Sequence, residues 1–312
     1  MATDNLSDFI KKSAVELGFS QCGISPVMDS SKDIQALRLW ISKKYHADMA
    51  WIESSIPLRE NPELLLSEIK SVVVVTLNYY TENQLLASEY KVSKFAQNLD
   101  YHNVLKSKLY QLLTNIKSID ATIDARVFVD SGPIFEKSYA VNAGLGWIGK
   151  NSCLIMPKQG SFFFIGVLLL TVELDFDNPF DKSYCANCTR CIDACPTGAI
   201  SAPYTINSNR CISYLTIEHH DDIPENIDFK STNQIFGCDI CQQVCPHNKF
   251  SQDCLNPDFT PSKELLSMTT IDWESLDKSS FKKQFKHSPI QRAGYQKIMS
   301  NIANIKNKRD EI

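Results

Sequence analysis

The sequence predicts an α/β (α+β) domain over residues 1–177, a cysteine-built module over 178–255 and a basic helical segment over 256–312. Three observations carry this division. Helical and strand periodicities alternate as far as about residue 175. Eight of the eleven cysteines lie between Cys185 and Cys245, where the apolar periodicity lapses. Beyond Asn256 the pattern is helical again, with seven lysines and two arginines between Lys278 and Arg309.

The first helix is expected over residues 5–17, where Leu6, Phe9, Ile10, Ala14 and Leu17 recur at helical spacing. Ile34, Leu37 and Ile41 mark a second helix. Ser71–Leu77 holds four consecutive valines and reads as a strand buried on both faces. Val104–Ile116 is amphipathic, with Leu105, Leu109, Leu112, Leu113 and Ile116 on one side. A strand over Ala125–Val129 runs into Asp130-Ser131-Gly132-Pro133, a turn signal. Glu136–Ala143 reads as a helix, and Phe162–Thr171 as a buried strand after a glycine-rich turn.

With 43% hydrophobic residues, the chain has enough apolar material for a real core. That excludes a disordered tail or a minimal disulfide scaffold. The net charge of −4 gives no global basic field, so a nucleic-acid partner must be held by local patches. The stretch Met1–Lys12 carries Asp4 and Asp8 and no long apolar run, so no export signal is read there. The most apolar run, Phe162–Val172, is about half the roughly 20 residues of a membrane helix. A cytoplasmic protein without membrane attachment is therefore expected. In a reducing compartment, crowded cysteines point to metal before disulfides.

Cys185-x2-Cys188-x2-Cys191-x3-Cys195-Pro196 is the bacterial ferredoxin pattern for [4Fe–4S] clusters, whose fourth cysteine serves the neighbouring cluster. Cys238, Cys241, Cys245 and Pro246 repeat its last four positions, but Ile235 stands where the first cysteine belongs. The two runs supply seven of eight ligands, and Cys211 lies between them. The exchange rule then gives one cluster to Cys185, Cys188, Cys191 and Cys245, and the other to Cys195, Cys211, Cys238 and Cys241. A pair of zinc sites is the alternative, against which the triple spacing and the Cys-Pro ending argue. Cys22, Cys153 and Cys254 read as ordinary free thiols.

Gly144-x-Gly146-x-x-Gly149-Lys150 satisfies a dinucleotide fingerprint and approaches a P-loop. Either motif must follow a strand and open a helix, whereas here a helix precedes the glycines. Asn151 also replaces the P-loop Ser or Thr. The segment reads instead as a tight turn that lets a flat ligand approach backbone.

The stretch Phe128-Val-Asp-Ser-Gly-Pro-Ile-Phe-Glu136 and the run Ala143-Gly-Leu-Gly-Trp-Ile-Gly-Lys-Asn151 resemble the epoxyqueuosine reductase family, which is related to reductive dehalogenases. So do Asp100-Tyr101-His102, both cysteine runs and Cys211-Ile-Ser-Tyr-Leu-Thr216. The resemblance spans about residues 5–305. It implies an oxidoreductase that reduces epoxyqueuosine to queuosine at the tRNA wobble position, the last step of queuosine biosynthesis. It also implies cobalamin on a nitroreductase-like core and two [4Fe–4S] clusters fed by an external low-potential donor, in a monomeric enzyme.

Carried over residue by residue, Asp130 matches the family's proton donor, and its apolar strand neighbours are expected to raise its pKa. Alone it would pass for a turn aspartate. Corrin contacts match Arg59, Ser93, Asp130, Lys150, Asn151, Ile155, Cys238 and Asp239. Tyr101 and His102 fall on the cavity wall, and His219 near a tRNA-contacting position. Many family members continue into a helical-repeat extension, so the basic helices from Lys278 are expected to serve that side. The rival readings are a two-cluster electron carrier and a corrinoid dehalogenase acting on a small molecule.

Overall fold

A computed structural model describes residues 5–310, apart from 83–84, 222, 225–226 and 228–229. Met1–Asp4, read above for an export signal, and the side chains of Lys308 and Arg309 lie outside the described residues.

The centre is a four-stranded, wholly antiparallel sheet. Gln21–Pro26 pairs with Ser71–Asn78, which pairs with Phe163–Leu170, which pairs with Ala125–Val129. The valine run occupies an inner strand because both its neighbours bury it, and seven of its eight residues are buried. Alternation decides where each side chain goes. Val73, Val75 and Leu77 join one apolar layer; Val72 and Val74 join the other.

The first layer is closed by the helix Tyr101–Ile119, which buries Leu105, Leu109, Leu112 and Ile116, and by the helix Leu6–Glu16. Asp100 caps the longer helix by accepting the His102 N–H at 3.0 Å. The second layer is closed by the short helix Glu136–Asn142, through Tyr139 and Ala140. Strands and helices thus fall where the periodicities put them. The strand Gln21–Pro26 is an addition, since Gly23 and Pro26 hide its alternation. The architecture is mixed α and β with an antiparallel sheet, rather than repeated βαβ units.

The cysteine segment does not stand apart. Gln234–Phe236 pairs in parallel with Lys91–Val92. Around this ladder Tyr90, Val92, Ile212, Ile235 and Phe236 form one apolar cluster with Trp273, Phe281, Phe285, Ile298 and Ile302 of the C-terminal helices. The expectation that cysteines replace the apolar core from 178 onward needs correction here: Ile212, Ile235 and Phe236 are core residues. Among the described residues, no helix is long and apolar enough to cross a membrane.

The glycine run follows the helix Glu136–Asn142 and leads into the small hairpin Trp147–Ile148 with Leu154–Ile155. This is the reverse of a phosphate-binding turn. A Cβ on Gly146 would lie 2.2 Å from the Ile155 carbonyl oxygen across that hairpin. Gly146→Ala should therefore destabilise the fold by about 1–3 kcal/mol through forced backbone displacement. Denaturant unfolding measures it, and an unchanged midpoint would show that the hairpin yields freely.

Candidate active site

Two elements of the core bring Asp130 to one end of the sheet. The strand Ala125–Val129 ends on Asp130, whose φ of 59° is left-handed and turns the chain sharply. The start of the helix Tyr101–Ile119 lies beside it. His102 Nδ1 is 2.7 Å from Asp100 Oδ1, and its Nε2 is 3.3 Å from Asp130 Oδ2. The Tyr101 hydroxyl donates to the Asp130 carboxylate. Tyr101 itself is held between His102 and Phe164, with ring centroids 4.1 Å away on each side.

A third participant was invisible in the sequence. Arg292, counted there only among the basic C-terminal residues, places Nη1 2.9 Å from His102 Nε2. Gly294 explains the reach: with φ of 80° it kinks the helix Ile290–Asp310 just after Arg292. Nε2 thus faces a donor, Arg292, and an acceptor, Asp130. A neutral imidazole accepts from Arg292, whereas an imidazolium donates to Asp130.

The electrostatics correct the expectation for Asp130. Burial does push its carboxyl up, but the His102 hydrogen bond and charge, the Tyr101 hydroxyl and Arg292 outweigh it. The net direction is down. The side chain itself is 56% exposed. Its partner moves the other way: burial lowers the His102 pKa, but Asp100 and Asp130 more than offset this and raise it. Asp130 is therefore a carboxylate beside an imidazole whose hold on its proton is strengthened, and apolar neighbours do not keep Asp130 protonated.

These groups line a cavity of about 640 Å³ that also meets Phe95, Phe236, Trp51, Cys211 and Tyr214. A larger groove of about 1300 Å³ lies elsewhere, along Tyr80, Lys91, Asp239 and Lys249, and is lined by none of Tyr101, His102, Asp130 and Arg292. Of the eight positions matched to corrin contacts, only Asp130 lines the 640 Å³ cavity. Arg59 lies behind its loop and donates to the carbonyls of Ile134 and Gly132. Ser93 is buried and donates to Asp239, which also accepts from the Lys94 N–H. Lys150 donates to the carbonyls of Ala186 and Cys188, and Asn151 to that of Cys241. His219 sits outside the cavity, with Nδ1 3.2 Å from Asp48.

The cysteines sort into two neighbourhoods. Cys185, Cys188, Cys191 and Cys245 line one small cavity with Lys150, Asn151 and Ile155. Cys195, Cys211, Cys238 and Cys241 neighbour one another: burial pushes the Cys238 thiol up to about 12, and Cys211 and Cys195 add to it. Cys211 also feels Cys195, and Cys241 feels Cys238 and Cys211. Ile235 explains the interrupted second run. Its side chain is fully buried among the C-terminal helices, and Asn301 donates to its carbonyl at 2.9 Å. Cys153 is a free thiol, as expected, and it also hydrogen-bonds to Cys241.

A mixed α and β core, two four-cysteine neighbourhoods and a carboxylate–imidazole pair on one cavity define an iron–sulfur oxidoreductase. Residues 184–248 match the 4Fe–4S double cluster binding domain, and residues 59–131 match the domain described as epoxyqueuosine reductase QueG, DUF1730. The chain is 43% identical over 300 residues to an epoxyqueuosine reductase of Cellulophaga algicola, covering 96% of this chain and 98% of that one. To the Escherichia coli epoxyqueuosine reductase it is 40% identical over 306 residues, covering 96% and 80%. The chain belongs to the epoxyqueuosine reductase family.

Solved structures agree. An epoxyqueuosine reductase with an epoxyqueuosine-modified tRNA-Tyr stem loop matches with a TM-score of 0.87 at 29% identity, covering 96% of this chain and 80% of that one. The Bacillus subtilis enzyme, solved with its catalytic aspartate loop swung out of the active site, matches with a TM-score of 0.85 at 27% identity and the same coverage.

The His102–Asp130 pair makes a direct prediction. Because the folded pKa of His102 is raised, its contribution to stability is complete below about 6.5 and fades as pH rises through the folded value. Asp130→Asn removes one of the two carboxylates responsible. The His102 titration midpoint, followed by NMR of its ring protons, should move down. An unmoved midpoint would mean that Asp100 alone sets it.

Proposed function

We propose that the protein reduces the epoxide of epoxyqueuosine at the wobble position of tRNA to queuosine, with cobalamin bound against the Asp130 cavity and electrons relayed by two [4Fe–4S] clusters. One observation carries the reading. Asp130 with its proton-bearing partner and the Cys211 thiol lie on the walls of the same cavity. Proton delivery and electron delivery therefore converge on one space, which an electron carrier has no need of.

Cluster one takes Cys185, Cys188, Cys191 and Cys245, in keeping with the small cavity those four share. Cluster two takes Cys195, Cys211, Cys238 and Cys241, so its edge borders the substrate cavity through Cys211. The cavity residues suit a corrin. Phe95 and Phe236 offer apolar ring surface on the wall, against which one part of the macrocycle would lie. Ser93 donates to Asp239, which stands three residues after Phe236 of the cavity wall, in keeping with a supporting role for these matched positions. Bound cobalamin supplies a low-potential metal centre able to attack an epoxide carbon.

The reaction consumes two electrons and two protons: both carbon–oxygen bonds of the epoxide break, a carbon–carbon double bond forms, and the oxygen leaves as water. Asp130 is the group placed to relay a proton to that oxygen, taking it from His102 Nε2, 3.3 Å away. Tyr101 orients the carboxylate, and Arg292 holds the imidazole once it has given up its proton. Met49, Trp51 and Glu218 also line the cavity, and His219 follows Glu218 in the chain, in keeping with an RNA contact on that side. Lys278, Lys282, Lys283 and Lys286 present exposed charge on the C-terminal side for phosphate contacts.

Two experiments test this reading. Asp130→Asn should cut turnover of epoxyqueuosine-bearing stem loop by about 100- to 10,000-fold, with cobalamin and iron content unchanged. A normal rate would remove Asp130 from proton transfer. Cys211→Ser should lose about four of roughly eight irons per chain while the other cluster persists. Full iron retention would sink the assignment of Cys211 as the eighth ligand.

A further inference from the structure

Asp130 stands on a loop, residues 130–135, whose backbone has no strand partner, and the structure shows what fixes it. Glu136 Oε1 accepts the Asp130 N–H at 2.6 Å. From the other side Arg59 donates to the carbonyls of Ile134 at 2.9 Å and Gly132 at 3.3 Å, braced by Ser55 and lying 5.4 Å from the Phe135 ring centroid. A left-handed aspartate is a strained conformation that surrounding contacts must maintain.

We propose that Glu136, with Arg59, is the positioning pair that holds the Asp130 loop in place, and that the proton on Glu136 governs the hold. The proposal rests on reading Asp130 as the proton donor. The charged groups facing Glu136 are Asp130 on the loop, Arg59 on the helix Ile56–Glu60, and Lys137 beside it, whose ammonium is engaged by the Ser152 carbonyl.

Burial first, and then the Asp130 charge, push the Glu136 carboxyl up to about 8. The protonated form still accepts the Asp130 N–H through its carbonyl oxygen, and it spares the site a second carboxylate next to Asp130. Release of the loop hydrates Glu136 and returns it to the ordinary carboxylate range. A proton thus favours the seated loop. The seating equilibrium should weaken by up to tenfold per pH unit between the ordinary carboxylate range and about 8, then level off. Neither Glu136 nor Arg59 lines the substrate cavity, so both act through Asp130.

The test is hydrogen exchange of the loop amides in the full chain between pH 5 and 9, corrected for intrinsic exchange. The wild-type protein should lose protection at Asp130 as pH rises. Glu136→Gln keeps an acceptor but cannot titrate, and should show protection independent of pH. Glu136→Ala should lose at least tenfold of that protection at every pH and lower kcat at unchanged cofactor content. Equal slopes in wild type and Glu136→Gln would overturn the proposal. So would full protection in Glu136→Ala. If the alanine variant fails to fold, the glutamine comparison decides alone. Exchange as expected, with no turnover of modified stem loop by wild type, would instead reject the functional reading and leave the latch standing.

Discussion

A very short parallel ladder carries the architecture. Lys91 donates to the Asn233 carbonyl at 2.8 Å and Ser93 to that of Phe236 at 2.8 Å, which fastens the cysteine segment to the α+β core. Buried Tyr90 and Phe236 flank it, and Asp239 accepts from Ser93 and Lys94 just beyond it. Phe236 and Cys211 thereby share a cavity with Asp130, although Asp130 and Phe236 belong to elements with no sheet in common. Shifting the ladder by one residue would turn Phe236 from the cavity and Ile235 out of the core together.

The site itself is ordered by charge. Asp100, His102, Asp130 and Arg292 form a row in which each member's preferred state depends on the next. The Asp130 pKa is drawn down because His102 is near, and that of His102 is drawn up because two carboxylates flank it. Such coupled groups titrate as a unit, so a pH–rate profile belongs to the row and not to one residue.

The secondary structure of the core was legible because the valine run and the leucines of Leu105–Ile116 carry unmistakable periods. The cysteine neighbourhoods were legible from spacing, which is set by the size of a cluster. The charge state of Asp130 was not. It depends on His102, 28 positions earlier, and on Arg292, 162 positions later, and no local pattern encodes those separations. The same holds for Arg59, whose role follows from carbonyls it meets at Gly132 and Ile134, and for Cys153, which reads as a spare thiol until the fold sets it against Cys241.

Arg292 hangs on a helix that Gly294 has already broken, 190 residues along the chain from the histidine it touches. If that turn loosens, the guanidinium withdraws and the imidazole is left between two carboxylates with no competing cation. It then holds its proton to a higher pH. The shape of one turn in a C-terminal helix is thus read out as the acidity at which the cavity gives up a proton.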